Sequence, residues 1–183
     1  MEFDRQLADL LGEFARTLGT DFPIQSILDH LVARIVSVLP IGAAGITLVS
    51  PGATAGHVSA SDPSASRFAQ LQTEVGEGPG LAARLTGKVI VVCDLRSDDR
   101  FPSFAARAVS GGLISVFAFP LRRGDSQLGA LELYRNVSGP LEAGAMIAAQ
   151  TLADVAAAYL INARPVPTAA RLQLAVARRP SRS

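Results

Sequence analysis

With 183 residues, 49 % of them apolar, the chain is long enough for one domain with a buried core. A single cysteine, Cys93, excludes an internal disulfide framework or a cysteine-cluster metal site, and no apolar run approaches the ~20 residues that span a bilayer. The net charge of +1 hides an asymmetry: residues 1–162 hold 12 basic and 16 acidic side chains, while residues 163–183 hold five arginines and no acid.

An acidic body with a basic tail differs from a nucleic-acid-binding domain, whose positive charge lies on the fold itself. The first residues carry acids inside an amphipathic pattern, unlike a signal peptide, so a cytoplasmic location is expected.

Phe3, Leu7, Leu10, Leu11, Phe14 and Leu18 recur at helical spacing and predict a helix over 2–18, ended by Gly19. Asp21 and Pro23 open a second helix, which carries Ile24, Ile27, Leu28, Leu31, Ile35 and Leu39 before Pro40 stops it. Residues 43–50 and 55–60 read as strands around a Pro51-Gly52 turn. Asp62-Pro63 then starts a short helix to about residue 72.

Gly78-Pro79 opens a helical turn or two over 80–85, closed by Gly87. Residues 89–93 are a compact β-branched strand, expected to be buried on both faces. A short helix over 101–109 ends at Gly111-Gly112. Residues 113–121 and 127–135 form a hairpin with Gly124-Asp125 in its turn. An Ala-rich helix over 140–162 closes the pattern, its stripe being Leu141, Met146, Leu152, Val155, Tyr159 and Leu160. The tail at 163–183 is expected to be disordered.

This order predicts an α+β fold with strands in adjacent antiparallel pairs. A central antiparallel sheet of five or six strands carries the terminal helices on one face. A lid loop and short helices cover the other.

Several residues invite a chemical reading. The spacing of Gly76, Gly78 and Gly80 fits neither a dinucleotide fingerprint nor a P-loop, and turn chemistry is the stronger reading. Cys93 reads as a buried structural thiol ahead of a redox sensor, because acids follow it. Asp94, Asp98 and Asp99 lack the spacing of a calcium loop and are read as loop solvation and capping before Phe101. His30 and His57 have no metal-site companions.

Strand alternation is more informative. Glu132 shares a face with Leu128, Ala130 and Tyr134, and an ionised carboxylate cannot face a dry core alone. Thr47, Ser115, Phe117, Phe119, Glu132 and Tyr134 are therefore read as a pocket floor. Residues 94–112 are its lid, supplying Phe101, Phe104 and Arg107. In the alternative, Phe101 and Phe104 fill the same cavity.

Four segments, GEGPGLAARLTGK, CDLRSDDRFPSFA, LISVFAFPL and LGALELYR, stand in an order and spacing that resembles a GAF domain over residues 23–162. The likeness is strongest to the GAF halves of actinobacterial regulators that carry an RNA-binding ANTAR domain. It implies a small-ligand pocket on one sheet face and dimerisation through the terminal helices. Residues 1–162 are then a GAF-like sensory domain including the N-terminal helix. Only the arginine-rich residues follow, in place of an ANTAR unit. Where such proteins often have a cysteine after Gly78-Pro79, this chain has Gly80.

The expected function is a non-catalytic signal-sensing module without a cofactor, binding a small ligand, acting as a homodimer and engaging a regulatory protein but no membrane. Two alternatives stay open. One is a ligand-free dimerisation scaffold, and the other a transcriptional regulator that contacts nucleic acid through its tail.

Overall fold

The computed structural model describes residues 1–49 and 56–162. The expected Pro51-Gly52 turn, the His57 side chain and the tail at 163–183 lie outside the described residues.

Eleven elements follow in chain order among them: α1 (Glu2–Thr17), α2 (Ile24–Val38), β1 (Ala43–Leu48), β2 (Gly56–Ala60), α3 (Pro63–Val75), α4 (Pro79–Thr86), β3 (Ile90–Val92), α5 (Pro102–Ser110), β4 (Ser115–Arg123), β5 (Ser126–Arg135) and α6 (Ala143–Asn162). The five strands form one antiparallel sheet in the order β2-β1-β5-β4-β3. The predicted α+β architecture with terminal helices on one face is therefore present.

Register decides which side chains share a face. Residues directly opposite across antiparallel strands point the same way. Ile46 pairs with Leu131, Phe119 with Leu131 and Phe117 with Leu133. These residues join Leu10, Phe14, Leu28, Leu31, Ile35, Ala149 and Leu152 in the larger core, between the sheet and α1, α2 and α6. On the other face Ala43, Val92, Val116 and Tyr134 pack with Phe68, Leu71, Phe101 and Phe104 from α3 and the α5 region.

Three sequence expectations need correction. The strand at β3 is three residues long and lies at the sheet edge, with Ile90 and Val91 only half-buried; Cys93 behind it is half-buried too. The buried face of α6 is a row of alanines, with Leu152 and Tyr159, while Met146, Val155 and Leu160 are half-buried. Alanine brings this helix close to β4, and since α6 is apolar around its girth the large residues could not mark the inner face. Finally, α6 is 20 residues long with a mean hydropathy of 1.4, so it has the length and apolarity of a membrane span after all. Its packing in the larger core accounts for that composition.

Polar contacts lock the terminal helices together. The Tyr159 hydroxyl on α6 reaches the Phe14 carbonyl and the Thr17 hydroxyl on α1, with the Tyr159 and Phe14 rings edge to face at 6.0 Å. Glu13 on α1 meets His30 and Arg34 on α2.

Candidate functional site

The Asp62 side chain accepts a hydrogen bond from the Ala65 N–H at 2.9 Å and starts α3 as a helix cap. The helix runs past its expected end, through Val75 to Gly76. Gln72, 2 % exposed, sits on this helix over the sheet. Pro79 then occupies the first turn of α4, as predicted.

Glu132 lies beneath Gln72 and is 1 % exposed. The Gln72 amide donates to its Oε1, and the Thr47 hydroxyl donates to its Oε2 at 3.4 Å. The Gln72 carbonyl in turn accepts from the Gly80 N–H at 2.8 Å. No salt bridge to Glu132 is present among the described residues. Burial therefore pushes the Glu132 carboxyl above its ordinary range, and the hydrogen bonds from Gln72 and Thr47, with the nearby Tyr134 hydroxyl and Gly80 N–H, offset this only in part.

Tyr134, two residues along the same strand face, is buried as well. Desolvation, then the charge of Glu132, raises its phenol well above the usual value. Its hydroxyl lies near the carboxyl but makes no hydrogen bond of acceptable geometry, and no other described residue partners it.

Two of the three glycines at 76, 78 and 80 make room for this contact. A Cβ on Gly80 would lie 2.4 Å from the Glu132 carboxyl carbon, and one on Gly78 would lie 2.4 Å from Cγ of Gln72. Gly78 also holds φ at +152°, a conformation L side chains rarely adopt. A side chain at position 80 would thus collide with the carboxyl.

Beside the carboxyl a cleft opens between α3, α4 and the sheet, lined by Thr47, Gln72, Thr73, Arg84, Ala130 and Glu132 among others. The unfilled space is about 10 Å³, room for roughly one water molecule.

The sequence-predicted site residues separate into three groups. Thr47 and Glu132 meet in the cleft, with Tyr134 adjacent. Phe117 and Phe119 point to the opposite face, because Ala118 is the residue paired with Glu132. They belong to the larger core. Ser115 is also absent from the cleft; its hydroxyl donates to the Val137 carbonyl at 2.8 Å.

Phe101, Phe104 and Arg107 do not cover Glu132. Both phenylalanines pack at the Tyr134 end of this face, away from the cleft, and Arg107 is exposed and pairs with Glu74 at 3.2 Å. The cover over the carboxyl is α3 and α4. The expected lid is instead clamped: the Glu77 carboxylate accepts from the Phe104 N–H at 2.9 Å and caps α5. The aspartates before Phe101 serve their own turns. Asp94 binds Arg96, and Asp98 binds Arg100.

Sequence reasoning missed Gln72, Thr73, Leu81 and Arg84. Gly80 was the available signal: a glycine inside a helix, where it costs stability, marks a close approach to something.

A five-stranded antiparallel sheet with terminal helices on one face and a buried polar cleft under α3 and α4 on the other defines an α+β class of fold. Residues 23–160 match the GAF domain family, and the chain belongs to it. Solved structures agree. The GAF domain of a phosphoenolpyruvate-protein phosphotransferase from Coxiella burnetii superposes with a TM-score of 0.67 at 15 % identity, covering 93 % of this chain and 98 % of that one. A domain of a two-component sensor histidine kinase protein from Sinorhizobium meliloti gives 0.66 at 16 % identity, covering 84 % and 99 %.

Free methionine-R-sulfoxide reductase from Neisseria meningitidis, in complex with its substrate, gives 0.66 at 14 % identity, covering 85 % and 89 %. No curated protein matches the chain. The reductase corrects the expectation that this chain is not an enzyme: its fold also carries catalysis. At 14 % identity that likeness shows the fold alone, and it assigns no activity to this chain.

Proposed function

We propose that this chain is a sensory GAF module that binds a small molecule against Glu132 and passes the event to its terminal helices, through which it dimerises. The observation that carries this reading is a carboxyl buried to 1 % exposure with no ion-pair partner among the described residues, at the base of a cleft. Burying such a group costs several kcal/mol unless something compensates, so a fold that keeps it at a cleft points to binding. That a relative of this fold holds its substrate supports the same reading.

The route to the helices is short. Glu132 faces the cleft, while its neighbours Leu131 and Leu133 face α2 and α6 across the same strand. A ligand with different affinity for two positions of β5 and α3 shifts the helix layer with them. Dimerisation would use the outer surface of that layer, where Ile147 is 68 % exposed.

A thermal-shift screen of metabolites tests the reading. A ligand at 100 times its Kd adds ~2.7 kcal/mol, a rise on the order of 5–10 °C. The rise must vanish in Glu132→Leu. Hits that survive that substitution bind elsewhere and sink the assignment. Sedimentation must give a dimer that weakens in Ile147→Asp; a monomer at all concentrations removes the dimer from the proposal.

A further inference from the structure

We infer that the Gln72 side chain is an internal ligand, plugging a slot between the Glu132 carboxyl and the Gly80 N–H that accepts small neutral molecules with a primary carboxamide or lactam edge. This rests on the cleft being the ligand site and names the chemistry that the site selects.

The orientation of the Gln72 amide follows from its partners. A backbone N–H can only donate, so the group facing Gly80 is the carbonyl, at 2.8 Å. The NH2 is thereby left facing Glu132 Oε1. The slot therefore reads an acceptor at one end and a donor at the other, at the spacing of one amide. A carboxylate of the same shape would bring a second acceptor oxygen against Glu132 Oε1 where the Gln72 NH2 now donates. An amidinium would aim an N–H at the Gly80 N–H. Each wrong edge meets a repulsive element, the feature that confers specificity beyond attraction.

The slot is also built for close approach. Gly78 and Gly80 leave the amide and the carboxyl room that a single methyl on either would occupy. The remaining space of about 10 Å³ admits no ligand while Gln72 stays in place. Entry therefore requires the glutamine to swing out, and a ligand must outcompete a partner already tethered to the site. Because Gln72 lies on α3, whose Phe68 packs on Tyr134, loss of the plug loosens the hold of α3 on the sheet.

Gln72→Ala deletes the heavy atoms of acetamide, which makes acetamide the matched probe. Acetate and acetamidinium are its isosteric controls at equal ionic strength. Saturating acetamide should raise the melting temperature of Q72A by on the order of 5 °C, and should raise neither the wild type nor Gln72→Leu, whose slots are filled. Acetate and acetamidinium should leave Q72A unmoved. If Q72A does not fold in buffer, the fraction folded recovered by each probe, read by circular dichroism, replaces the melting temperature.

Equal responses to all three probes, or none to any, overturn the inference. A larger response to acetamidinium also overturns it and makes Glu132 a site for cations. If wild-type protein has a Glu132-dependent ligand while Q72A ignores acetamide, sensing stands and the internal ligand falls. If Q72A binds acetamide and the wild-type screen yields no Glu132-dependent ligand, the slot stands and sensing falls.

Discussion

Leu131 and Glu132 are consecutive on β5, yet they end in opposite surroundings. Leu131 is buried among side chains from α2, α6 and the sheet, in a core of aliphatic and aromatic residues. Glu132 is equally buried under Gln72 and Gly80, beside Ala118 and Ala130. The first face gains its stability from packing alone. The second holds small residues and a carboxyl that the apolar alternative would outperform in stability, and it preserves a defined polar geometry instead. The lesson is that one strand can serve stability and recognition at once, because alternation separates the two jobs by a single residue.

Substitutions on these two faces should therefore fail in different ways. The largest effect is expected on the apolar face: Leu131→Ala should cost about 2–5 kcal/mol in chemical denaturation, with any ligand selectivity of the cleft retained in the folded fraction. A change in selectivity would show that the faces are not separable. Next comes Gly80→Ala, whose Cβ must displace the Glu132 carboxyl from 2.4 Å. Overpacking of this kind should cost about 1–3 kcal/mol. It should also abolish Glu132-dependent binding. Wild-type stability in this variant would mean that the carboxyl moves freely, and the cleft would lose its claim to a fixed geometry.

How much of this was legible in the sequence divides along the same line. The apolar face was readable because its signals are periodic: Leu28, Leu31 and Ile35 recur at helical spacing, and the Gly124-Asp125 turn sets the β4–β5 hairpin. Glu132 was readable as an anomaly, a charge on a strand. Its surroundings were not. Which face Phe117 and Phe119 share with Glu132 depends on cross-strand register, and a bulge or slip of one residue inverts the answer. The cover by Gln72 depends on how α3 is set against the sheet, which no spacing within the helix records. Tertiary contact, absent from any local window, joined residues 72, 80 and 132.

Two smaller predictions sharpen the contrast through pH. Glu132 has its carboxyl raised by burial, so the native state keeps a proton that the unfolded chain releases near the ordinary value of 4.5. The native state then binds more protons, and stability falls as pH rises above 4.5, until the native carboxyl itself ionises. Glutamine cannot ionise. The melting temperature of Glu132→Gln should therefore match the wild type near pH 4 and exceed it progressively at higher pH, with a stability slope of at most about 1.4 kcal/mol per pH unit. A difference that stays flat would mean that a positive group compensates the carboxylate.

Asp94 should behave in the opposite sense, and by the least of the four. The Arg96 side chain, with a backbone hydrogen bond from the same residue, lowers its carboxyl from 3.8 to about 2. A lowered carboxyl stabilises the fold above 3.8 and loses that contribution as pH falls from 3.8 towards 2. The pair is open to solvent, and screening leaves such pairs with little net effect. Arg96→Ala should thus be slightly less stable than the wild type at pH 7, less so in high salt, and equal to it near pH 2. An exposed carboxylate that favours high pH and a buried carboxyl that favours low pH would then titrate against each other in one molecule. If both variants shifted in the same direction, Glu132 would be stabilised as an anion, and the slot would be electrostatically no different from a surface loop.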